Sequence, residues 1–382
     1  MKLVSIKYSE FEGHSNEWKL DELQLFDVNL IVGKNADGKS RTVNLINGLS
    51  KLILTPNLVV SHGHYYATFD DKGKNIHYEI AIFNSLIVKE LLAVDEDIFI
   101  ERGADGSGKM MNIEANLQLK VKLAQKNLAI SRRDEVQYPY LEPIYRWATN
   151  VIHFAFNTEL GRNNYLLLES DKPLGINIKD TQTVASAFLM GKKYSDGRFK
   201  KLIIELFNKV GYHITDIDCA PPVGLPIKFE NSGPQTVGLR VKENDVKAMV
   251  EQHYMSTGMF RALAVIIYFC YYIVTKHSGL ILIDDIGEGL DYERSSNLIK
   301  ILIEESNANN IQLVMTTNDR FVMNNVSLDY WQIISRNSGQ VRMNNHVNSK
   351  EIFEEFKFTG LNNFDFFATG FFKDGFENET SN

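Results

Sequence analysis

Hydrophobic and polar residues alternate over residues 1–8, and a continuous apolar run, Val-Asn-Leu-Ile-Val, follows at 28–32. These are the patterns of a half-buried strand and a fully buried strand. A glycine-rich stretch occupies residues 33–39, and from residue 40 to residue 54 apolar side chains recur at helical spacing. The chain therefore predicts a strand, a glycine loop and a helix in direct succession near its N-terminus.

A second strongly patterned region lies between residues 256 and 334. It predicts a helix over 256–276, a buried strand over 280–284, a helix over 292–305, and strands over 311–316 and 331–334. The residues between the two regions predict hairpins over 64–117, charged helices over 118–150, a strand over 151–156 and two helices over 180–210 broken near Gly191. Four prolines mark an irregular connection: Pro221, Pro222, Pro226 and Pro234.

Strand–helix alternation at both ends of the chain predicts one α/β sheet assembled from both termini. The expected domains are a core from 1–85 and 236–345, an inserted, mainly helical lobe at 86–235, and a C-terminal docking segment at 346–382. The docking segment is rich in phenylalanine: Phe364, Phe366, Phe367, Phe371, Phe372 and Phe376. Such a cluster fits either the core of the chain itself or the surface of a partner.

Residues 33–40, Gly-Lys-Asn-Ala-Asp-Gly-Lys-Ser, match the phosphate-binding pattern G-x-x-x-x-G-K-[ST] in full. Glycines at both ends of the loop let the backbone turn its amide groups toward an anion. The helix that follows adds the positive end of its dipole. Lys39 is expected to reach the β- and γ-phosphates, and the Ser40 hydroxyl to bind Mg²⁺. The predicted ATP-binding residues are Gly33, Lys34, Asn35, Ala36, Asp37, Gly38, Lys39, Ser40 and Arg41.

A second stretch, residues 103–110, repeats the glycine and lysine spacing of this loop. It ends in Met110, whose side chain cannot bind Mg²⁺, and a strand-like sequence follows. We therefore expect a hairpin turn there.

The buried strand at 280–284 ends in two neighbouring carboxylates, Asp284 and Asp285. Ligands bind at the carboxyl ends of the strands in doubly wound sheets. Asp284 is thus predicted to hold Mg²⁺ together with Ser40. Asp285 is expected to point elsewhere and to polarise the attacking water.

Composition and charge narrow the class of partner. The 382 residues are 44% hydrophobic and carry a net charge of −7, so DNA contact requires a local basic patch. Two basic stretches qualify: Lys120, Lys122, Lys126, Arg132 and Arg133 on a predicted helix, and Lys192, Lys193, Arg198, Lys200 and Lys201.

Cys219 and Cys270 suggest neither a disulfide nor a metal site, which fits a reducing cytoplasm. The apolar run at 262–275 is too short to span a membrane, so we expect a buried core helix and no membrane partner.

Four motifs in order give the chain a family resemblance. The first is the loop at 33–40, and the second is residues 254–261, Tyr-Met-Ser-Thr-Gly-Met-Phe-Arg, which are similar to the signature LSxGxxR. The third is residues 283–291, which are similar to a Walker B strand and its D-loop. The fourth is residues 314–319, which lie at the place of the family's switch histidine. The chain resembles an ABC-type ATPase head of the SMC, RecF and OLD-like group over roughly 1–60 and 240–345. This implies an α/β P-loop NTPase fold with a mixed sheet, in which 1–85 and 236–345 form the ATPase core.

The resemblance also implies a dimer. In the family the signature faces the γ-phosphate of a partner subunit, so Ser256 and Gly258 would contact ATP bound by a second copy in a homodimer or a higher even oligomer. The family has Glu where this chain has Asp285 and His where it has Asn318, and both changes suggest slow turnover. Glu288 is an alternative base. The family's Q-loop glutamine would be Gln137, with Gln118 and Gln182 left open.

Three functions are compatible with these residues. The first is an ATP-gated dimeric switch similar to the ATPase subunits of bacterial anti-phage defence systems. It would control a separate effector, with a nuclease as the candidate, because the sequence contains no nuclease motif and too few residues for a long coiled-coil arm. The second is a RecF-like repair ATPase that binds DNA directly. The third is a scaffold that binds ATP without hydrolysing it.

Overall fold

The computed structural model describes residues 1–55, 60–168, 178–223 and 235–375. The strands in these ranges are β1 (Lys2–Glu10), β2 (Trp18–Gln24), β3 (Val28–Val32), β4 (Gly63–Asp71), β5 (Lys74–Phe83), β6 (Leu86–Val94), β7 (Asp97–Arg102), β8 (Ser107–Asn112), β9 (Leu117–Lys122), β10 (Val151–Ala155), β11 (Leu166–Leu168), β12 (Ile214–Ala220), β13 (Gln235–Glu243), β14 (Val250–Glu251), β15 (Leu280–Asp284), β16 (Gln312–Thr317), β17 (Trp331–Asn337) and β18 (Gln340–Asn344). The α-helices are α1 (Lys39–Leu54), α2 (Glu142–Thr149), α3 (Val184–Val210), α4 (Thr257–Thr275), α5 (Tyr292–Asn309), α6 (Arg320–Asn325), α7 (Lys350–Lys357), α8 (Asn363–Ala368) and α9 (Phe371–Asp374). Pro226, Pro234 and Phe376 lie outside the described residues.

The chain divides into two compact units. Unit 1 contains Met1–Val151 and Ser327–Asn382, and unit 2 contains Ile152–Val326. The core, lobe and docking segment expected from the sequence follow other boundaries, and that division stays a prediction.

Unit 1 contains a mixed sheet in the order β3, β17, β18, β2, β1, β4, β5, β6, β7, β8, β9. β17 runs parallel to β3 and β18 runs parallel to β2, whereas β17 and β18 are antiparallel, as are β1 and β2. The strands from β1 to β9 then pair antiparallel in turn. The carboxyl ends of β3, β17 and β1 therefore lie at one edge of the sheet, and the glycine loop leaves from that edge.

Part of the predicted helical lobe is sheet. Strands β6 to β9 cover most of residues 86–122 and extend the antiparallel part of the sheet. The helical prediction over 118–150 was wrong for residues 118–122, which belong to β9 and pair with β8; it holds for α2. The repeated glycine pattern at 103–110 lies on the hairpin between β7 and β8, as expected.

Unit 2 contains a parallel pair, β15 and β16, with β10 next to β15, and a smaller sheet in the order β11, β13, β12 with β14 on β13. Helix α3 is interrupted at Ser195, whose backbone is not helical (φ −161°, ψ 77°). A Cβ on Gly191 would lie 2.3 Å from the ring of Phe199, so the two halves of α3 fold back against each other. The two predicted helices are confirmed, with the break four residues later than expected.

Helix α4 is 19 residues long and begins at Thr257, directly after its N-cap Ser256, so the helix predicted over 256–276 is confirmed. It is longer than the apolar run at 262–275 that forms most of it. Among the described residues it alone has the length and apolar composition to cross a membrane, yet 83% of that stretch is buried inside the protein. This is the burial of a core helix.

The C-terminal helices form a small aromatic cluster. Phe366 is fully buried, and its ring lies 4.7 Å from the rings of both Phe353 and Phe356. Phe371 and Phe372 add to the same cluster. In contrast, Phe358 is 88% exposed and Leu361 is 53% exposed in the link between α7 and α8. Most of the phenylalanines described in this segment thus pack in its local core, and the side chains of Phe358 and Leu361 lie at the surface of the link.

Candidate nucleotide-binding site

The loop at 33–38 joins the fully buried strand β3 to helix α1, so the predicted strand, loop and helix are confirmed. Two of its residues adopt left-handed backbone conformations, Ala36 with φ 69° and Gly38 with φ 110°. At Gly33 a Cβ would lie 2.3 Å from Cγ2 of Ile334 and 2.9 Å from its carbonyl oxygen. Glycine is therefore required at position 33 by the approach of β17 and at position 38 by its conformation.

Lys39 lies inside the loop. Its ammonium donates hydrogen bonds of 2.8 Å to the carbonyl oxygen of Gly33 and 3.1 Å to that of Lys34, and the residue is 7% exposed. The Asp37 carboxylate accepts from the backbone N–H of Lys34 at 3.0 Å. The side chains of Asp37 and Lys39 thus bond to the backbone of the loop, and the Lys39 ammonium lies inside it. Ser40 is half-buried in the first turn of α1.

Arg41 has protein partners that the sequence did not predict. Its guanidinium lies 4.3 Å from the ring centre of Trp18 and forms an ion pair with Glu10. Burial lowers the pKa of Arg41. Trp18 also lies against Gly38, where a Cβ would be 3.5 Å from the indole. On the other side, Arg336 donates to the carbonyl oxygen of Ala36 at 3.4 Å. These neighbours come from strands far away in sequence and carry no motif of their own.

The two carboxylates after β15 differ in their surroundings. Asp284 is 3% exposed, and its Oδ1 accepts a 2.6 Å hydrogen bond from Oγ1 of Thr316 at the end of β16. Asp285 is half-buried and has a left-handed backbone with φ 59°. Its N–H donates to the same Thr316 hydroxyl at 2.9 Å, and the N–H of Ile286 donates to the Thr316 carbonyl at 2.9 Å. Thr316 was not predicted as a site residue, although it lies in the fourth motif.

The signature begins with a capped helix, as predicted. The exposed Ser256 is the N-cap of α4, and its hydroxyl accepts from the N–H of Met259 at 3.2 Å. A Cβ on Gly258 would lie 2.1 Å from the carbonyl oxygen of Gly289, so glycine is needed where α4 meets the D-loop, residues 286–291. The open end of the helix favours an anion through its N–H groups and its dipole.

The D-loop ends at Asp291, the N-cap of α5, which accepts from the N–H of Arg294 at 3.0 Å. Gly287 and Gly289 have φ values of 96° and 79°. The alternative base, Glu288, is exposed. Asn318 is exposed directly after β16.

The candidate residues fall into two groups. Unit 1 contains residues 33–41, and unit 2 contains Ser256, Gly258, Asp284, Asp285 and Asn318. Of the Q-loop candidates, Gln137 and Gln118 lie in unit 1, where Gln137 accepts from Asn112 and Gln118 donates to the carbonyl of Ile98. Gln182 lies in unit 2, and its backbone N–H donates to the Asp180 carboxylate at 3.0 Å. Their role stays a prediction.

The two basic stretches differ from the prediction in their secondary structure and in how many of their cations are paired with carboxylates. Lys120 and Lys122 lie on strand β9 rather than on a helix. Arg133 pairs with Glu142 and stacks on Tyr145. In α3, Lys192 pairs with Asp218 at 3.1 Å and Lys200 pairs with Asp216 at 2.8 Å, so two of the five cations in that stretch are neutralised.

The groups at the loop of unit 1 suit a phosphate. The loop at 33–38 leaves no room for a side chain at Gly33, has a left-handed backbone at Gly38 and holds a buried ammonium beside the hydroxyl-bearing Ser40. Among the residues that the structure describes, no group of three or more His, Cys, Asp and Glu side chains is arranged for a metal other than Mg²⁺.

No protein-family profile and no curated protein matches this chain by sequence. Solved structures match by fold. An SMC head bound to the C-winged helix domain of ScpA has a TM-score of 0.53 and 12% identity, over 92% of this chain and 100% of that one. The SMC head domain with an extended coiled coil, bound to the C-terminal domain of ScpA derived from Pyrococcus furiosus, has a TM-score of 0.50 and 12% identity, over 93% and 99%. The predicted fold class is confirmed: the chain has an α/β fold with a large mixed sheet, similar to that of SMC heads.

Proposed function

We propose that this chain binds and hydrolyses Mg-ATP and that ATP joins two copies of it. The observation that carries the proposal is the loop at 33–40, in which the Lys39 ammonium is buried, Gly33 has no room for a side chain and Gly38 has a left-handed backbone. The ammonium donates to the carbonyl oxygens of Gly33 and Lys34, so it is held inside the loop, where it supplies positive charge for a polyphosphate. The SMC-like head fold supports the same activity.

Each candidate residue has a role that follows from its chemistry. Lys39 and the loop amides would hold the β- and γ-phosphates. The Ser40 hydroxyl and the Asp284 carboxylate would hold Mg²⁺, which neutralises phosphate charge when bound. Asp285 would accept a proton from the attacking water, and the Asn318 amide would orient that water or the γ-phosphate.

Slow turnover is part of the proposal. Asp285 has a left-handed backbone with φ 59°, a conformation that Asp tolerates better than Glu. The shorter carboxylate at this position therefore suits its backbone, at the expense of reach toward the water. Asn318 cannot accept a proton as a histidine can. A switch that holds its ATP state for a long time needs no faster chemistry.

Dimerisation would use the signature. Ser256 is exposed at the start of α4, where the helix dipole and the free N–H groups favour an anion. The chain binds phosphate at 33–40, so the start of α4 is available for the γ-phosphate held by a second copy. ATP binding would close the pair and hydrolysis would release it.

Phosphate release and light scattering test the proposal together. We expect slow, magnesium-dependent phosphate release and an ATP-dependent dimer, both lost in Lys39→Ala. Lys51→Ala, an exposed lysine on the same helix, is the matched control and should behave as the wild type. Phosphate release that does not depend on Lys39 would contradict the proposal, and ATP binding without hydrolysis would leave a nucleotide-bound scaffold.

We further propose that the ATPase controls a separate effector protein, as in the defence systems it resembles, with a nuclease as the candidate. The exposed Phe358 and Leu361 support a protein partner at the link between α7 and α8. Two solved neighbours are heads bound to domains of ScpA, which also supports a protein partner. Co-purification with the product of an adjacent nuclease reading frame, lost in a Phe358→Ser, Leu361→Ser double variant, is the test.

Direct DNA binding is the second candidate function. Lys109 and Lys120 are register partners on β8 and β9, and both are exposed, as is Lys122. Three neighbouring lysines on one hairpin could neutralise phosphates along a nucleic-acid backbone. A gel-shift assay of wild type and Asp285→Ala with ATP separates the two functions. Tight, salt-sensitive binding by the chain alone, lost when the three lysines are replaced by alanine, would favour DNA repair.

A further inference from the structure

Arg261, in the second turn of α4, is buried to 6% exposure although it carries a charge. Its guanidinium makes three directed hydrogen bonds, and all of them go to backbone carbonyl groups. Nη1 donates to Glu288 at 2.8 Å, Nη2 donates to Thr158 at 2.9 Å, and Nε donates to Thr158 at 3.3 Å. A planar, five-donor fork is the side chain best suited to joining two separate carbonyl groups.

The two acceptors belong to different loops. Glu288 lies in the D-loop, whereas Thr158 lies in the turn that follows β10. That turn is fixed locally, because the Thr158 hydroxyl donates to the Ala155 carbonyl at 2.7 Å. It is also tied to the proposed metal ligand, because the N–H of Phe156 donates to the Asp284 carbonyl at 3.0 Å. Arg261 thus connects the signature helix with the D-loop and with the turn beside Asp284.

The glycines around Arg261 show how closely these segments approach. A Cβ on Gly289 would lie 2.6 Å from Nη1 of Arg261, and one on Gly258 would lie 2.1 Å from the Gly289 carbonyl. The aromatic ring of Phe156 lies 5.8 Å from the guanidinium carbon. Burial lowers the pKa of Arg261. The side chain is therefore enclosed on several sides within unit 2.

We propose that Arg261 is a positioning residue that holds the signature helix, the D-loop and the turn after β10 in one fixed arrangement. This rests on the proposed function, since that arrangement would present Ser256 to the γ-phosphate of ATP bound by a second copy. Arg261 touches no substrate. It acts by keeping three segments in register, so its loss should impair dimerisation and turnover and leave capture of ATP by the loop at 33–40 intact.

The test compares Arg261→Met with wild type in three measurements. We expect kcat to fall about 10- to 100-fold, as a small misplacement of reacting groups can cause. We expect the ATP-dependent dimer, trapped in an Asp285→Asn background, to be lost. The Kd of the monomer for a fluorescent ATP analogue should stay within about 2-fold, because Lys39 and its loop belong to unit 1. Arg198→Met, an exposed arginine on α3, is the matched control and should leave all three unchanged.

Arg261→Lys gives a graded readout. One ammonium keeps the charge but cannot donate in the fork geometry that joins Glu288 and Thr158, so kcat should lie between those of wild type and Arg261→Met. If Arg261→Met is insoluble, Gly289→Ala takes its place as the test of the positioning role. The added methyl group would displace the guanidinium while the arginine itself is retained. This variant should reproduce the loss of dimer and of turnover.

Failure of this inference is distinguishable from failure of the proposed function. If wild type hydrolyses ATP in a Lys39-dependent manner and Arg261→Met or Gly289→Ala matches its kcat and dimerisation, the positioning role is wrong and the ATPase stands. A parallel loss of analogue affinity in Arg261→Met would also overturn the positioning role. If wild type shows no Lys39-dependent hydrolysis, the proposed function itself fails.

Discussion

The hydroxyl of Thr316 donates a 2.6 Å hydrogen bond to Oδ1 of Asp284, and both residues are buried at the ends of neighbouring parallel strands. The same hydroxyl accepts from the N–H of Asp285 at 2.9 Å. One oxygen atom therefore orients the carboxylate proposed to hold Mg²⁺ and fixes the backbone of the residue proposed to activate water.

Replacing Thr316 by valine should lower both the affinity for Mg²⁺ and the stability of the protein. Valine keeps the shape but leaves the Asp285 N–H without its partner, at a cost of about 1–3 kcal/mol in the free energy of unfolding. Loss of a group that orients a metal ligand should raise the Mg²⁺ concentration for half-maximal hydrolysis about 10-fold or more. Magnesium titration of phosphate release and urea denaturation measure the two effects. Thr316→Ser should stay near wild type; a valine variant with normal magnesium dependence would contradict the assignment.

Asp285→Asn should separate ATP binding from hydrolysis. Asparagine tolerates the left-handed backbone at this position but cannot accept the proton of water. We expect phosphate release to fall about 100-fold or more while ATP affinity is kept, so that dimers accumulate with ATP. Single-turnover kinetics and light scattering are the measurements. Asp245→Asn, an exposed aspartate of unit 2, is the control, and normal hydrolysis by Asp285→Asn would shift the role of base to Glu288.

Trp18 should report on nucleotide binding. Its indole lies against Gly38 and under the guanidinium of Arg41, so a phosphate in the loop changes the charge next to the ring. The chain has three tryptophans, and we expect Mg-ATP to change their summed fluorescence. Trp18→Phe should abolish the change, whereas Trp147→Phe should keep it. A signal that survives in Trp18→Phe would place the nucleotide away from this loop.

The buried pair Glu90 and Arg102 should be costly to break. The Glu90 carboxylate accepts from the Tyr78 hydroxyl at 2.7 Å and from the Ala129 N–H at 2.9 Å, and Arg102 lies 3.2 Å away. Arg102→Met leaves the buried carboxylate without its counter-charge and should cost about 3–5 kcal/mol in urea denaturation. Adding Glu90→Gln should recover part of that loss; additive effects in the double variant would contradict the coupling.

The same pair predicts a pH dependence. Burial raises the pKa of Glu90, and the charge of Arg102 opposes that rise. In Arg102→Met the pKa of Glu90 should rise further. A carboxyl whose folded pKa exceeds its unfolded pKa binds more protons in the native state, so stability falls as pH rises between the two values. Arg102→Met should therefore lose less stability relative to wild type in mildly acidic buffer than at pH above neutrality.

The parts of the site that are local in sequence were predictable, and the parts built by distant strands were not. Residues 33–40 carry the glycine pattern of a loop between a strand and a helix within one short stretch, so the pattern was enough to predict that loop. Trp18 and Thr316 reach their partners only through the order of strands in the sheet, and they carry no spacing to recognise. The helix expected from residue 118 was wrong over 118–122 for another reason. Leu117, Leu119 and Val121 alternate there with polar residues as in a strand, but the lysines were interpreted as part of a charged helix.

Gly33 lies against Ile334, and β3 pairs with β17 through Leu30 and Trp331, about three hundred residues apart in the chain. The ribosome makes the loop at 33–38 about three hundred residues before the strand that packs against it. Long-range pairing of this kind forms slowly and exposes unpaired edges until it is complete. A nascent or truncated chain that ends before residue 331 therefore contains the whole motif at 33–40 but lacks the strand against which Gly33 packs, so we expect the loop to take its final conformation only after β17 has paired with β3.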